Sequence, residues 1–166
     1  HSLLIESLRG IRDMGYGFKY FFAGDGPLKE ILRKRCHELG LSNEIIFLGN
    51  IDNIADYLNA SDVFVLPSFV EGLSIALLEA MFMGLASIVT DVGSNNDLIK
   101  TGFNGTVVPP RDKEGLKNAI IFYLQNRHLI KEFGKKSRDI IETRYSSIDK
   151  YIRKYHELWG KCSNNK

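Results

Sequence analysis

From Gly17 onward the chain alternates short apolar runs with stretches of helical period, and no other feature constrains its fold as tightly. The runs are GFKYFFAG, EIIFLG, DVFVLPS, ASIVTD and GTVVPP. Between them lie PLKEILRKRCHELG, NIADYLNA, SIALLEAMFMG and NDLIK, which read as helices. Five strands separated by helices predict a parallel sheet joined by right-handed crossovers. Val63, Phe64, Val65 and Leu66 are contiguous and apolar, as in a strand covered on both faces. Pro27 at a helix start and Gly40 and Gly84 just past two helix ends follow the usual punctuation. Ahead of the first strand, Leu4, Ile5, Leu8 and Ile11 recur at helical spacing. KEGLKNAIIFYLQN, LIKEFGKKSRDIIETR and SSIDKYIRKYHELWGK predict three closing helices. No period repeats and no linker intervenes, so residues 1–166 are expected to form one doubly wound α/β domain with a frayed tail at about 162–166. The opening helix follows no strand, which is expected of a fragment.

Composition removes several function classes. A net charge of +2 gives no electrostatic footprint for nucleic acid or an anionic membrane. No apolar run approaches the roughly eighteen residues of a membrane span. The two cysteines, Cys36 and Cys162, are far apart and lack metal-ligand spacing, which predicts a reducing, cytoplasmic setting. His1, His37, His128 and His156 have no consistent position after strands and read as solvated rather than metal-binding.

In a doubly wound sheet, ligands sit beyond the carboxyl ends of the strands at the switch point. The segments to weigh are therefore Gly24–Pro27, Gly49–Asp52, Pro67–Ser74, Asp91–Asn96 and Pro109–Pro110. Among them EGLSIALLE places Glu71 and Glu79 at the ends of an uncharged stretch that opens a helix. The first amides of a helix lack internal partners and, with the helix dipole, favour phosphate. Eight helical steps advance roughly 12 Å, enough to touch groups on both sides of a diphosphate. The other reading makes Glu71 a first-turn acid and Glu79 part of a solvated stripe. Against it, the helix is apolar all round and so expected to be buried, where a carboxylate needs partners. Spacing alone leaves both readings open. GDGP at Gly24–Pro27 lacks the G-x-G-x-x-G and Walker signatures and reads first as a tight turn. Ser68 and Ser74 have no His–Asp pattern that would make either a nucleophile.

VFVLPSFVEGLSIALLEAMFMG followed by IVTDVGSNNDLI resembles the donor-binding, C-terminal half of retaining GT-B glycosyltransferases of family 4. FFAGDGPL is similar to that family's strand and glycine turn, EIIFLGNI to its base-side strand, and TGFNGTVVPPRD to its last strand and loop. The resemblance covers essentially the whole chain in order. It implies a Rossmann-like three-layer α/β/α domain and transfer from a nucleotide-sugar donor, with retention and without a metal or other cofactor. By position, Glu71 faces the donor sugar in the catalytic role, and Glu79 binds the ribose. The amides of Gly72, Leu73 and Ser74 hold sugar and diphosphate oxygens. Gly24, Gly26, Gly49 and Ile51 border the donor, Ile51 through its backbone. The implied acceptor is a glycan or lipid-linked glycan, as in polysaccharide biosynthesis, held by an N-terminal domain and reached at the inner membrane face by peripheral association.

The chain departs from the family pattern in several places. Ser94 replaces a glycine, Asp97 stands where glutamate is common, and Ala86 where proline is common. The family's arginine and lysine that clamp the diphosphate belong to the strand and loop before the first helix, upstream of His1. That strand lies in the middle of the family's sheet, so a gap is expected, left open or repaired by rearrangement or by another chain. The alternative to a transferase domain is a non-catalytic Rossmann-like module for a nucleotide or partner.

Overall fold

A computed structural model describes residues 1–145. SSIDKYIRKYHELWGK, His156, Cys162 and the expected frayed tail lie outside the described residues. The elements follow in the order α1 (Ser2–Asp13), β1 (Tyr20–Ala23), α2 (Lys29–Glu38), β2 (Ile45–Gly49), α3 (Ile54–Asn59), β3 (Val63–Leu66), α4 (Ile75–Phe82), β4 (Ala86–Thr90), α5 (Asn95–Leu98), β5 (Gly105–Val108), α6 (Lys113–Gln125) and α7 (Arg127–Tyr145). This is the alternating α/β architecture that the sequence predicts. Pro27 does not open α2; the chain turns first, and Leu28 is the residue before the helix.

All strand pairings are parallel, but they form two sheets, β1–β2 and β3–β4–β5. In the larger sheet Val63 faces Ala86, Leu66 faces Val89, and Thr90 faces Val108. β1 pairs only with β2, and β3 only with β4. The expected gap therefore lies between β1 and β3.

Alternation along the strands sets the two cores. Val63, Val65, Ala86, Ile88 and Val108 pack into one cluster with α1 and α6. Phe64, Leu66, Val89 and Val107 point the other way, against Leu77 and Met81 of α4. Leu4, Ile5, Leu8 and Ile11 of α1 are buried, as their spacing predicts, and each contributes roughly 1.5–3 kcal/mol of apolar burial. Gly134 of α7 lies against Gly84 at the end of α4, where an added Cβ would fall 1.9 Å from the Gly84 carbonyl oxygen. That contact seats α7 on the element that carries Glu79.

Candidate functional site

Glu71 and Glu79 line one cavity of about 1380 Å³, which they share with Gly24 after β1 and Ile51 after β2. The cavity continues from this cleft into the gap between β1 and β3. Gly26, Gly49, Gly72, Leu73 and Ser74 do not form its wall.

Glu71 is held by a relay from the neighbouring strand. Ser68 Oγ donates to Glu71 Oε1 at 2.8 Å, and buried Thr90 at the end of β4 donates to the Ser68 carbonyl at 2.6 Å. A change at Thr90 would therefore move the loop that carries the acid. Sequence reasoning missed both hydroxyls because it asked of Ser68 only whether it was a nucleophile. The available signal was a hydroxyl three residues before an acid in a loop after a strand.

The loop after β4 supports the same segment from beneath. At Gly93, φ is 54°, and an added Cβ would lie 2.3 Å from the Glu71 carbonyl oxygen and 2.6 Å from that of Gly72. The Ser94 amide donates to the Gly72 carbonyl at 3.0 Å. In a trans peptide the C=O and the following N–H point in opposite directions, so this bond turns the Leu73 amide away from the β4 loop. Among the described residues, the amides of Gly72, Leu73 and Ser74 donate to no protein acceptor. They precede the first turn of α4, where the dipole adds positive potential. The side chain of Ser74 serves differently: its Oγ caps α4 by accepting from the Leu77 amide at 3.3 Å.

α4 is not buried all round, contrary to the reading of its apolar sequence. Leu77, Ala80 and Met81 are buried, but Ile75, Ala76, Glu79 and Phe82 make an exposed face. Glu79 is thus open to the cleft and needs no buried partner. The helix begins at Ile75, so the rise up to Glu79 is four steps, roughly 6 Å rather than 12 Å. The two acids share the cavity because the Ser68–Ser74 loop folds toward it, not because one helix spans them.

The opposite lip is the turn that GDGP predicts. The Gly24 amide donates to the Gly49 carbonyl at 2.7 Å, and the Gly26 amide to Asp25 Oδ1 at 2.8 Å. Lys29 Nζ lies 3.1 Å from Asp25 Oδ2. The Gly26 amide first, then Lys29, holds the Asp25 carboxyl below its ordinary range. Sequence reasoning did not single out Lys29, which places a cation over buried Gly49. The loop after β5 reaches back to the acids' side: Arg111, at φ 65°, stacks its guanidinium 5.4 Å from the centre of the Phe69 ring. Among the described residues no three His, Cys, Asp or Glu side chains converge as a metal site, and no helix is long and apolar enough to cross a membrane.

Residues 1–140 match the family model for glycosyl transferases group 1. The chain belongs to this family. It is 31% identical over 141 residues to the UDP-Gal:alpha-D-GlcNAc-diphosphoundecaprenol alpha-1,3-galactosyltransferase of Escherichia coli, covering 84% of this chain and 36% of the relative. It is 29% identical over 141 residues to the N-acetyl-alpha-D-glucosaminyl L-malate synthase of Bacillus anthracis, covering 85% of this chain and 37% of that enzyme. The chain thus spans little more than a third of these two relatives. Among solved structures, HepE of Anabaena in complex with UDP superposes with a TM-score of 0.85 at 21% identity, over 96% of this chain and 44% of that one. The C-terminal domain of the group 1 glycosyl transferase LpcC of Francisella tularensis gives 0.76 at 24%, over 87% of this chain and 78% of that one. At these identities the likeness shows the fold, the C-terminal half of a GT-B glycosyltransferase.

Proposed function

We propose that this chain is the donor-binding domain of a glycosyltransferase that moves a sugar from a nucleoside-diphosphate sugar to a glycan or lipid-linked acceptor. One observation carries the reading: two carboxylates line a single cleft, and the segment that joins them in sequence carries three consecutive amides without protein acceptors among the described residues at the start of α4. Amides at a helix start bind diphosphate oxygens, and carboxylates accept hydrogen bonds from sugar hydroxyls. Glu71, oriented by Ser68, faces the donor sugar, and Glu79 takes the ribose hydroxyls. The amides of Gly72, Leu73 and Ser74 stabilise the leaving diphosphate electrostatically. Gly24, Gly26, Gly49 and Ile51 form the lip beside the base.

Transfer proceeds with retention and with no metal requirement, as the family resemblance implies, since the amide array and helix dipole supply positive potential at the diphosphate. The diphosphoundecaprenol named in the galactosyltransferase relative supports a lipid-linked acceptor, and hence work at the inner face of a membrane. A non-catalytic module gains nothing from the geometry, because Ile75 is exposed and Glu71 lines the cleft.

The test is calorimetric titration of UDP-, GDP- and ADP-sugars into the full transferase that carries this domain. One nucleotide should bind, and binding should weaken in Glu79→Ala. No binding by any of the three, with activity unchanged in Glu79→Ala, overturns the site. The anomeric configuration of the product by NMR and activity after EDTA dialysis test retention and metal independence.

A further inference from the structure

Among the described residues, Arg111 alone has a positive φ without being glycine. It stands third in the turn Pro109–Pro110–Arg111–Asp112, which the Asp112 amide closes by donating to the Pro109 carbonyl at 3.3 Å. Proline second and positive φ third are the pattern of a type II turn, whose third residue is by preference glycine. A side chain there strains the backbone, so the turn is not what selects arginine. The head group gives a better reason. It is held over the ring of Phe69, which is 53% exposed and lines the cleft two residues before Glu71. Among the described residues Arg111 forms no ion pair. The neighbouring acid, Asp112, is turned to α6, where its Oδ1 accepts from the Gly115 amide at 2.8 Å. Stacking on an aromatic ring leaves the N–H fork of a guanidinium free for a planar anion.

We propose that Arg111, steadied by Phe69, binds an anionic group, carboxylate or phosphate, on the acceptor substrate. The inference rests on the donor reading for which end of the cleft is which. In that reading the loops after β1 and β2 border the base, and Glu71 faces the donor sugar. Arg111 follows β5, the strand of the larger sheet farthest from β1 and β2, and reaches back to the loop that carries Glu71. It therefore lies at the sugar end of the cleft, away from the base. What approaches the transferred sugar from that end is the acceptor. An exposed cation at the rim attracts a negatively charged acceptor and fixes its orientation through paired N–H donors. A hexuronate carboxylate and the phosphate of a glycosyl phosphate share this chemistry.

The test uses the full transferase that carries this domain, saturated with the nucleotide that it binds. Methyl glucuronide, glucose 1-phosphate and methyl glucoside are titrated into it by calorimetry. At least one anionic probe should bind about fivefold or more tightly than the neutral glycoside, and added salt should shrink the difference. The probe that shows the preference distinguishes a carboxylate from a phosphate source. Arg111→Gln and Arg111→Gly should both abolish the preference and leave nucleotide affinity unchanged. The glycine variant separates charge from bracing: it fits the turn without strain, so the melting temperature should hold while the preference is lost. Phe69→Leu should reduce the preference, and Phe69→Tyr, which keeps the ring, should retain it. Three results overturn the proposal: equal binding of charged and neutral probes, a preference that survives both Arg111 variants, or no binding by any probe. Such a result with nucleotide still bound leaves the donor reading standing. If no nucleotide binds, the donor reading falls and takes the acceptor assignment with it, even where anion binding still depends on Arg111.

Discussion

β3 and β4 are both short, apolar and parallel, yet β4 is buried at all its positions whereas every residue of β3 is only half-buried. Their sequences, VFVL and ASIVT, do not predict that order, for β3 is the more hydrophobic run. The difference is one of neighbours. β4 has a strand on each side and β3 has one, with the gap on the other. The contrast extends to the two lips of the cleft. The acid-bearing lip is supported by Thr90, the Gly93 loop and the α4–α7 contact, all of them backbone or buried contacts. The glycine lip closes through backbone bonds and the more open Asp25–Lys29 pair.

The largest effect should come from the seat of the acid-bearing half. Gly134→Ala drives a Cβ into the Gly84 carbonyl, a backbone atom that cannot yield without lifting α7 from α4. Denaturant melts should show a loss of about 3 kcal/mol or more. The strand comparison itself comes next. Val89→Ala in β4 removes two buried methyl-sized groups and leaves a cavity, costing about 2 kcal/mol. Val65→Ala in β3, at a half-buried position, should cost about half as much. Equal costs would break the neighbour argument.

Much of this was legible in the sequence, and the misses share a cause. Order and type of the elements followed from periodicity, because each run encodes its own covered faces. The cleft's location followed from the doubly wound topology. The burial of α4 did not, since Ile75, Ala76 and Phe82 are apolar residues facing open space, and hydropathy reports preference rather than coverage. The supports of Glu71 were illegible for another reason. Thr90 and Gly93 lie about twenty residues away in sequence, and only the pairing of β3 with β4 brings them beneath the acid. Lys29 was hidden because its role depends on the turn at Gly49, which spacing along α2 does not report.

Glu79 tests the acid-bearing lip by affinity rather than stability. It is exposed and, among the described residues, its carboxylate makes no hydrogen bond or ion pair, so Glu79→Ala should leave the melting curve in place. If Glu79 accepts from ribose hydroxyls as proposed, its loss should weaken nucleotide binding by about tenfold or more, equivalent to about 1.5 kcal/mol for a hydrogen bond to a charged group. A stability loss without an affinity loss would make Glu79 structural and reverse the assignment.

The smallest effect belongs to the glycine lip. The Asp25 carboxyl sits below its ordinary value of 3.8, held chiefly by the Gly26 amide and then by Lys29. A depressed value means that the unfolded chain binds the proton more tightly than the folded one. The contact's contribution is therefore complete above 3.8 and fades as pH falls through the lower folded value. Asp25→Asn should flatten that acid limb of the melting profile slightly and leave neutral pH almost unchanged, because the pair is partly solvated. About 1 M salt, where the screening length is roughly 3 Å, should erase most of the remaining Lys29 contribution while sparing the Gly26 hydrogen bond. A large loss at neutral pH would mean that this lip is as firmly built as the one opposite, and the asymmetry between the two halves would disappear.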